Sequence, residues 1–575
     1  MKLTRARFAF CAANLLLSLA LVVPCSAQVP AADPYASELR ATIEQFTADL
    51  KTLDRTYPLE LSATRHQRMT DLLTAAKASL AAIDFDKLSR NGQIDYLLLR
   101  NHLEKQQASV ELEQRRATEV EPIIPFYRTI VELEESRRRM QVAEPQAVGQ
   151  RLADLAKAID AARTSTVRST AKKAVVNRAA LQVTSLRETL KSWYAFYDGY
   201  DPIFTWWVEN PYSRVDQSLD SYARALRETA GTQSGAIIGD PVGRQALLDD
   251  LSANMIPYTP EELLTLARKE LAWCEQEMMK ASREMGYGDD WHKALEVVKT
   301  RFVAPGQQPE LVRRLAEEAI QFVTTRNLVT IPPLAREDWW EEMLSPERQL
   351  TSPFFLGGDL ILVASPTGAM TQEQKLMTLR GNNEHFARSV VFHELIPGHH
   401  LQGFMSERYR VYREPFATPF WSEGNSFYWE LLLWDLNFPR GPEDRIGMLF
   451  WHMHRAARII FSLSFHLEQM TAEDCVNFLV ERVGFERFNA EAEVRRSIDG
   501  SYEPIYQSAY MLGALQFYAL HKELVDSGKM SNRDFHDAIL KENSIPVELI
   551  RADLTGQPLT RDYRSTWRFY DLNGK

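Results

Sequence analysis

Cysteine is scarce in this 575-residue sequence: four in all, and only Cys274 and Cys475 lie beyond the first 27 positions. That excludes a disulfide scaffold. With 25 glycines and 27 prolines there is no collagen-like or low-complexity bias. Basic residues number 67 against 77 acidic ones, and no basic block stands out, which disfavours nucleic acid as a partner. After the first 27 residues no charge-free apolar run approaches the ~20 residues of a membrane span. No Gly-x-Ser-x-Gly elbow is present, so a serine nucleophile has no support. What the sequence has in quantity is apolar and aromatic surface. Hydrophobic residues make up 45%, with 27 Phe, 20 Tyr and 12 Trp. Such a chain folds. Its length exceeds several times a typical domain of roughly 100–200 residues, so one large unit or two lobes is expected.

The N-terminus reads as an address label. Lys2, Arg5 and Arg7 precede an apolar run from Phe8 to Val23, and Cys25-Ser26-Ala27 supplies small residues for cleavage. Pro24 stands where a lipoprotein signal wants a small residue, so residues 1–27 read as a cleavable secretory signal. The mature protein is expected in the periplasm or secreted, without a membrane span, and three charges more negative than the formal −10.

Apolar residues recur at three- and four-residue spacing almost throughout. Leu39, Ile43, Phe46 and Leu50 form one stripe. Leu152, Leu155, Ile159 and Ala162 form another, on a segment from about 145 to 193. Thr259-Pro260-Glu261-Glu262 has the form of a capped helix start, and Leu263, Leu266, Leu271 and Cys274 carry that helix towards Gly286. Turn-rich text falls at 198–202 and 231–241. Strand text is confined to 352–365, where two apolar runs flank Gly357-Gly358-Asp359, as in a hairpin or short sheet. The fold class expected is mostly α, a large helical two-lobed protein with that one small β element. Residues 28–250 form the N-terminal lobe and 251–575 the C-terminal lobe. Cys274 and Cys475 read as separate buried thiols. Trp206-Trp207 and Trp339-Trp340 read as core, Glu337-Asp338 and Glu341-Glu342 as a solvated face.

The chemistry concentrates in Phe392-His393-Glu394-Leu395-Ile396-Pro397-Gly398-His399-His400-Leu401-Gln402, with three of the twelve histidines in eight residues. Asn383 caps a helix leading into it. His-Glu on a helix suggests H-E-x-x-H, in which histidines one turn apart bind zinc and the glutamate works on water. Here Pro397 occupies the second ligand's position. On a regular helix His399 would be rotated by about 120° from His393, and His400 would lie ~10 Å further along. Pro397 and Gly398 point to a break that brings a later histidine back. His399 is the favoured second ligand and His400 the alternative. A third ligand is sought among carboxylates of another helix. Ser422-Glu423-Gly424 through Glu430 offers a capping serine, with Glu423 and Glu430 two turns apart on one face.

His393-Glu394-x-x-Pro397-Gly398-His399-His400-x-Gln402 followed by Glu423-Gly424 resembles the bacterial domain-of-unknown-function family 885. By motif layout that family is similar to mostly helical gluzincin peptidases such as angiotensin-converting enzyme and thermostable carboxypeptidase. Two further stretches resemble it: Arg458 to His466, with Ser462 where Asp is common, and Pro504 to Gly513, which places Tyr510 at the family's tyrosine. Gln507 is shifted by one position and Met511 replaces a lysine. The resemblance implies a zincin-like fold and an exported zinc-dependent metallopeptidase acting on short peptides. Zn2+ would be held by His393, His399 (or His400) and Glu423. Glu394 would serve as the base, and Tyr510, ahead of His466, as donor to the oxyanion. Gly357-Gly358 would let a peptide lie along a strand edge. Two other readings compete. One is a zinc-dependent lyase or amide hydrolase on a non-peptide substrate. The other is a non-catalytic periplasmic peptide-binding protein.

Overall fold

The computed structural model describes residues 33–165, 170–232, 236–349 and 354–572. The expected signal sequence lies outside the described residues. The chain is mostly helical with one minute sheet, and none of its described helices is long and apolar enough to cross a membrane.

The periodic stripes become buried helix faces. Helix α1 (Arg40–Thr56) buries Ile43 and Phe46, and α2 (Ala63–Ala81) is capped by Ser62, whose hydroxyl accepts from the Arg65 amide. Helix α3 (Arg90–Val120) runs 31 residues, about 46 Å at 1.5 Å per residue. The segment expected as continuous from 145 to 193 is interrupted. Its first part joins a bundle of α4 (Tyr127–Arg138), α5 (Pro145–Thr164), α6 (Lys173–Tyr197) and α7 (Pro202–Ala230). Helix α7 begins where turn text was expected. Asp201 accepts from the Ile203 and Phe204 amides, Pro202 opens the helix, and Gly231 at φ 91° ends it.

Two apolar clusters result. One unites α4–α7 through Leu152, Ile159, Val183, Trp193 and Phe204. The other joins α1, α2 and the first part of α3 to residues beyond 247. Helix α3 runs through both. A buried polar knot fastens this union. Asp95 on α3 accepts from Arg413 Nε (2.7 Å) and Tyr412 Oη (2.8 Å), and Glu542 accepts from Arg413 Nη1 (2.7 Å).

Helix α8 (Pro260–Glu284) starts with the expected capping box, Thr259 and Glu262 each accepting from the other's amide. It packs along α12 (Pro442–His466), whose residues from Ile446 to His466 are buried on every side. The remaining helices around the site are α9 (Glu384–Glu394), α10 (His399–Ser406), α11 (Pro419–Asp435), α13 (Arg487–Ile498) and α14 (Tyr506–His521). Cys274 and Cys475 are free and buried.

Three expectations change. Of the hairpin or short sheet expected over 352–365, where 352–353 lie outside the described residues, the hairpin is reduced to one antiparallel bridge between Leu356 and Leu362, while a short sheet is present. Strand β2 (Ile361–Val363) instead pairs in parallel with β1 (Glu341–Met343), register Glu341 to Ile361. The acidic run therefore contributes an edge strand, though Glu342 stays exposed. Trp206 and Trp207 are 81% and 42% exposed and not core, while of the second pair Trp340 is exposed and Trp339 is half-buried against the main cluster. Helix α11 is capped by Thr418, whose hydroxyl accepts from the Phe420 amide; Ser422 lies inside the helix.

Candidate metal centre

Helix α9 begins at Asn383, whose side chain accepts from the amides of His385 and Phe386, and it ends one residue past His393. There the backbone turns away at Leu395 (φ −107°, ψ −107°), passes a cis Ile396-Pro397 bond, and restarts as α10 at His399. The break is held by two hydrogen bonds, Gly398 N–H to the Phe392 carbonyl (3.0 Å) and His400 N–H to the Leu395 carbonyl (3.1 Å). A Cβ at Gly398 would stand 1.9 Å from the His393 carbonyl oxygen, so only glycine fits.

The restart fixes which histidine returns. The His393 and His399 rings lie 5.0 Å apart at 80°. Their Nε2 atoms stand 3.5 Å and 3.1 Å from the same oxygen, Oε2 of Glu423. One ligand atom from each of His393, His399 and Glu423 falls within 4.8 Å of the others. His400 is turned away. Its Nε2 lies 2.8 Å from the Ala335 carbonyl and its Nδ1 3.3 Å from that of Gly358. It braces backbone and is not a ligand.

Glu423 arrives by a close helix crossing. Gly424 of α11 and Gly513 of α14 touch, and a Cβ at Gly424 would meet the Gly513 Cα at 2.5 Å. The crossing sets Tyr506 of α14 beside Glu423, and its hydroxyl donates to Oε1. Two turns along α11, Glu430 accepts from His393 Nδ1 (2.8 Å) and from Ser389 Oγ (2.8 Å). With Nδ1–H committed to Glu430, Nε2 is the ring atom turned towards Glu423 and left to take up an ion in place of its proton.

The electrostatics follow from burial. Burial works against a charged His393, but the hydrogen bonds to Glu423 and Glu430 outweigh it and push its pKa up to about 9. Burial likewise opposes ionisation of Glu423, yet the two histidines hold its carboxyl well below the usual range. Burial raises Glu394. The three converging groups thus favour a bound positive charge. Two imidazoles and a carboxylate suit zinc, because each presents a lone pair to one point and His393 has a carboxylate behind it.

Glu394 opens into a cavity of about 540 Å³ shared with His393, His399, Glu423 and Tyr510. Its carboxylate has no hydrogen-bond partner among the described residues. Gly357 lies against it: a Cβ there would fall 2.5 Å from Oε2. Tyr510 is buried, its ring 6.2 Å from that of His393. Its hydroxyl has no protein partner among the described residues. His466 does not join them. It lies eight residues past Arg458 on α12, about 12 Å further along the axis. Neither of its nitrogens has a hydrogen-bond partner among the described residues, and burial lowers its pKa to about 4. The oxyanion role expected of it has no geometric basis. Ser462 donates to the Pro504 carbonyl (3.3 Å) and Met511 is core.

Sequence reading passed over three neighbours of the site, Tyr506, Arg455 and Arg496, and gave Arg458 no role beyond the family stretch. Tyr506 sits one turn before Tyr510, a spacing that places both on one face. Arg455, Arg458 and Arg496 line the cavity. Two of them interrupt the apolar text of α12, and a cation inside such a helix was the available signal. His452 and His454 are buried on α12 and face Glu270 (2.9 Å) and Glu493 (3.4 Å).

Two solved structures share this fold. "The structure of a putative lipoprotein of unknown function from Shewanella oneidensis" aligns with TM-score 0.67 and 18% identity, over 90% of this chain and 100% of its own. "The crystal structure of the putative lipoprotein from Colwellia psychrerythraea" aligns with TM-score 0.55 and 16% identity, over 90% and 97%. No curated protein gives a significant sequence match. Residues 47–554, which contain every residue of the centre described above, match the family "Bacterial protein of unknown function (DUF885)", and the chain belongs to that family.

Proposed function

We propose that the protein is an exported zinc-dependent peptidase acting on short peptides. The observation that carries the reading is the convergence of His393, His399 and Glu423 within 4.8 Å at the wall of a cavity into which Glu394 also opens. Those three residues would hold the ion. Bound there, zinc supplies Lewis acidity and a nucleophile at neutral pH.

The chain's own residues divide the remaining work. Glu394 has no protein partner to release, and its raised pKa suits it to take a proton from water and return it to a leaving amine. Tyr510 aims a free hydroxyl into the cavity and donates to the carbonyl oxygen as charge develops there. Glu430 fixes the His393 tautomer, and Tyr506 fixes the rotamer of Glu423. A cavity of this volume takes a few residues of extended chain and excludes a folded protein. The signal-like sequence over 1–27 supports export, and the solved relatives, described as lipoproteins, agree with an envelope setting.

Metal analysis of the purified protein and mass-spectrometric assay of a peptide pool test the reading. Stoichiometric zinc and cleavage are expected. Glu394→Gln should keep the zinc and lose activity by about 10²–10⁴-fold. Full hydrolysis by that variant would remove Glu394 from its role.

A further inference from the structure

The cavity wall beside the centre is cationic in a way the metal does not require. Arg455 and Arg458 of α12 are 5% and 4% exposed, and Arg496 of α13 joins them at the surface of the same cavity. Arg458 Nε donates to Glu493 Oε1 (2.6 Å), and Arg496 Nε stands 3.6 Å from Glu493 Oε2. Arg455 Nη2 stands 3.6 Å from Glu430, a carboxylate already bound to His393. Three guanidiniums thus face two carboxylates, one of them shared. Arg455 Nε, Arg458 Nη1 and Arg496 Nε have no hydrogen-bond partner among the described residues. Three positive charges set against two carboxylates at the wall of one cavity leave an excess of positive charge there, which an anion in the cavity would balance.

The place of this wall defines what the anion belongs to. Tyr510 packs against both this wall and His393. Its ring lies 4.9 Å from the Arg455 guanidinium, 4.4 Å from that of Arg458 and 6.2 Å from the His393 ring. Placed end to end, 6.2 Å and 4.9 Å give about 11 Å at most, the span of roughly three extended residues. A chain whose carbonyl sits at Tyr510 therefore reaches the arginines within three residues. A planar guanidinium fork matches a carboxylate in shape as well as charge.

We propose that Arg455, Arg458 and Arg496 form an anion subsite that reads the free C-terminal carboxylate of the peptide. The protein then selects chain ends and releases short C-terminal pieces. This inference rests on the peptidase reading for its substrate class, but it is testable without turnover.

The test uses zinc-loaded Glu394→Gln protein and equilibrium dialysis against three N-acetylated hexapeptide pools. One pool carries free C-terminal acids, one carries amides, and one carries amides ending in Glu. Mass spectrometry reads what is retained. Free acids should be held about 10–100-fold more tightly than either amide pool. Arg496→Gln should bring that ratio towards one, with zinc content unchanged and the protein still folded. Arg458→Lys, which keeps the charge beside Glu493 but not the fork, should lower it in part. Equal retention of acids and amides by folded protein, or no retention of any pool, overturns the proposal. So does equal retention of the Glu-ending amides, which would move recognition to a side chain. Retention of acids without cleavage by wild-type protein keeps the subsite and rejects the peptidase reading. Cleavage without discrimination does the reverse.

Discussion

The α4–α7 bundle and the helices around the candidate metal centre bury residues of different character. In the bundle the interior is mainly Leu, Val, Ile, Ala, Trp, Phe and Tyr, and ion pairs keep at least one partner partly exposed, as where Arg187 reaches Asp216 at 2.7 Å or buried Glu134 pairs with Arg138 at 2.7 Å. Around the centre the interior holds His393, Glu430, Arg455, Arg458 and Glu493. The first region is stabilised by area removed from water, about 25 cal/mol per Å² of apolar surface. The second carries ionised groups whose desolvation is only partly offset by their partners. A fold that needed α12 only for packing would not place two arginines in its buried length. The difference marks where structure has been subordinated to chemistry.

The largest expected effect on the candidate centre breaks its geometry without touching a proposed ligand. Gly398→Ala puts a methyl 1.9 Å from the His393 carbonyl, so the restart of α10 must shift and carry His399 away from Glu423. Loss of zinc is expected, with destabilisation of about 3 kcal/mol, the upper end for forced overpacking. Calorimetric unfolding with metal analysis checks both. Zinc retained at full affinity would mean that the break is not what sets the histidine spacing.

Next in size is Glu430→Gln, which keeps the shape but weakens the charge behind His393 Nδ1. Partners of this kind are worth about 10–100-fold in metal affinity. Competition with a chelator reads the change, and an unchanged affinity would assign Glu430 to packing alone.

How much of this was legible in the sequence depends on whether the determinant is local. The stripes of α1 and α5, the Thr259 capping box and the Asn383 cap were legible, because each is fixed within a turn or two of helix. So was the need for a break at Pro397-Gly398, since no straight helix lets His393 share an ion with a later histidine. Choosing His399 over His400 depended on the phase in which α10 restarts, which the hydrogen bond from His400 N–H to Leu395 sets. The parallel partner of β2, an acidic edge strand 18 residues upstream of it, carries no periodic signal, and β1 is too short to have one. Tyr506 and the three arginines acquire meaning only through the Gly424–Gly513 crossing and the burial of α12. Trp206 and Trp207 were misjudged because hydrophobicity alone does not say which face of α7 looks outward.

A third prediction sharpens the contrast through pH. Burial opposes charge on His454 and lowers its pKa to about 3, and the neighbouring Arg458 acts in the same sense. Unfolded, the same imidazole takes up its proton near 6.5. Between those values the unfolded chain binds more protons, so stability falls as pH falls from about 6.5 towards 3. Glu493 adds to the loss further down. Burial opposes its ionisation, but Arg458 and Arg496 hold it well below the usual range, and the stability it contributes above its unfolded pKa disappears as pH falls towards its folded one. Urea unfolding across pH 7 to 4 should show a slope of up to about 1.4 kcal/mol per pH unit from one such group. His454→Gln should flatten that slope above pH 4.5, and an unchanged slope would move the titration elsewhere.

The smallest effect is that of Trp206→Ser in the bundle, and set against Trp193→Ala it tests whether burial rather than residue type decides. Trp193 of α6 is 1% exposed and packs against Tyr197 and Phe204 at 5.6 Å and 5.5 Å between ring centroids. Trp206, two residues past Phe204 on α7, is 81% exposed. Trp193→Ala removes a core side chain and should cost about 3–5 kcal/mol. Trp206→Ser removes a side chain that buries little area, and its cost should stay within about 0.5 kcal/mol, as for surface positions generally. Denaturant midpoints measure both, and neither variant should change zinc content, because the bundle supplies no residue to the centre. A Trp206→Ser cost near that of Trp193→Ala would mean that this face is covered when the protein is folded in solution, and the bundle would then no longer be the plain hydrophobic counterpart of the charged centre.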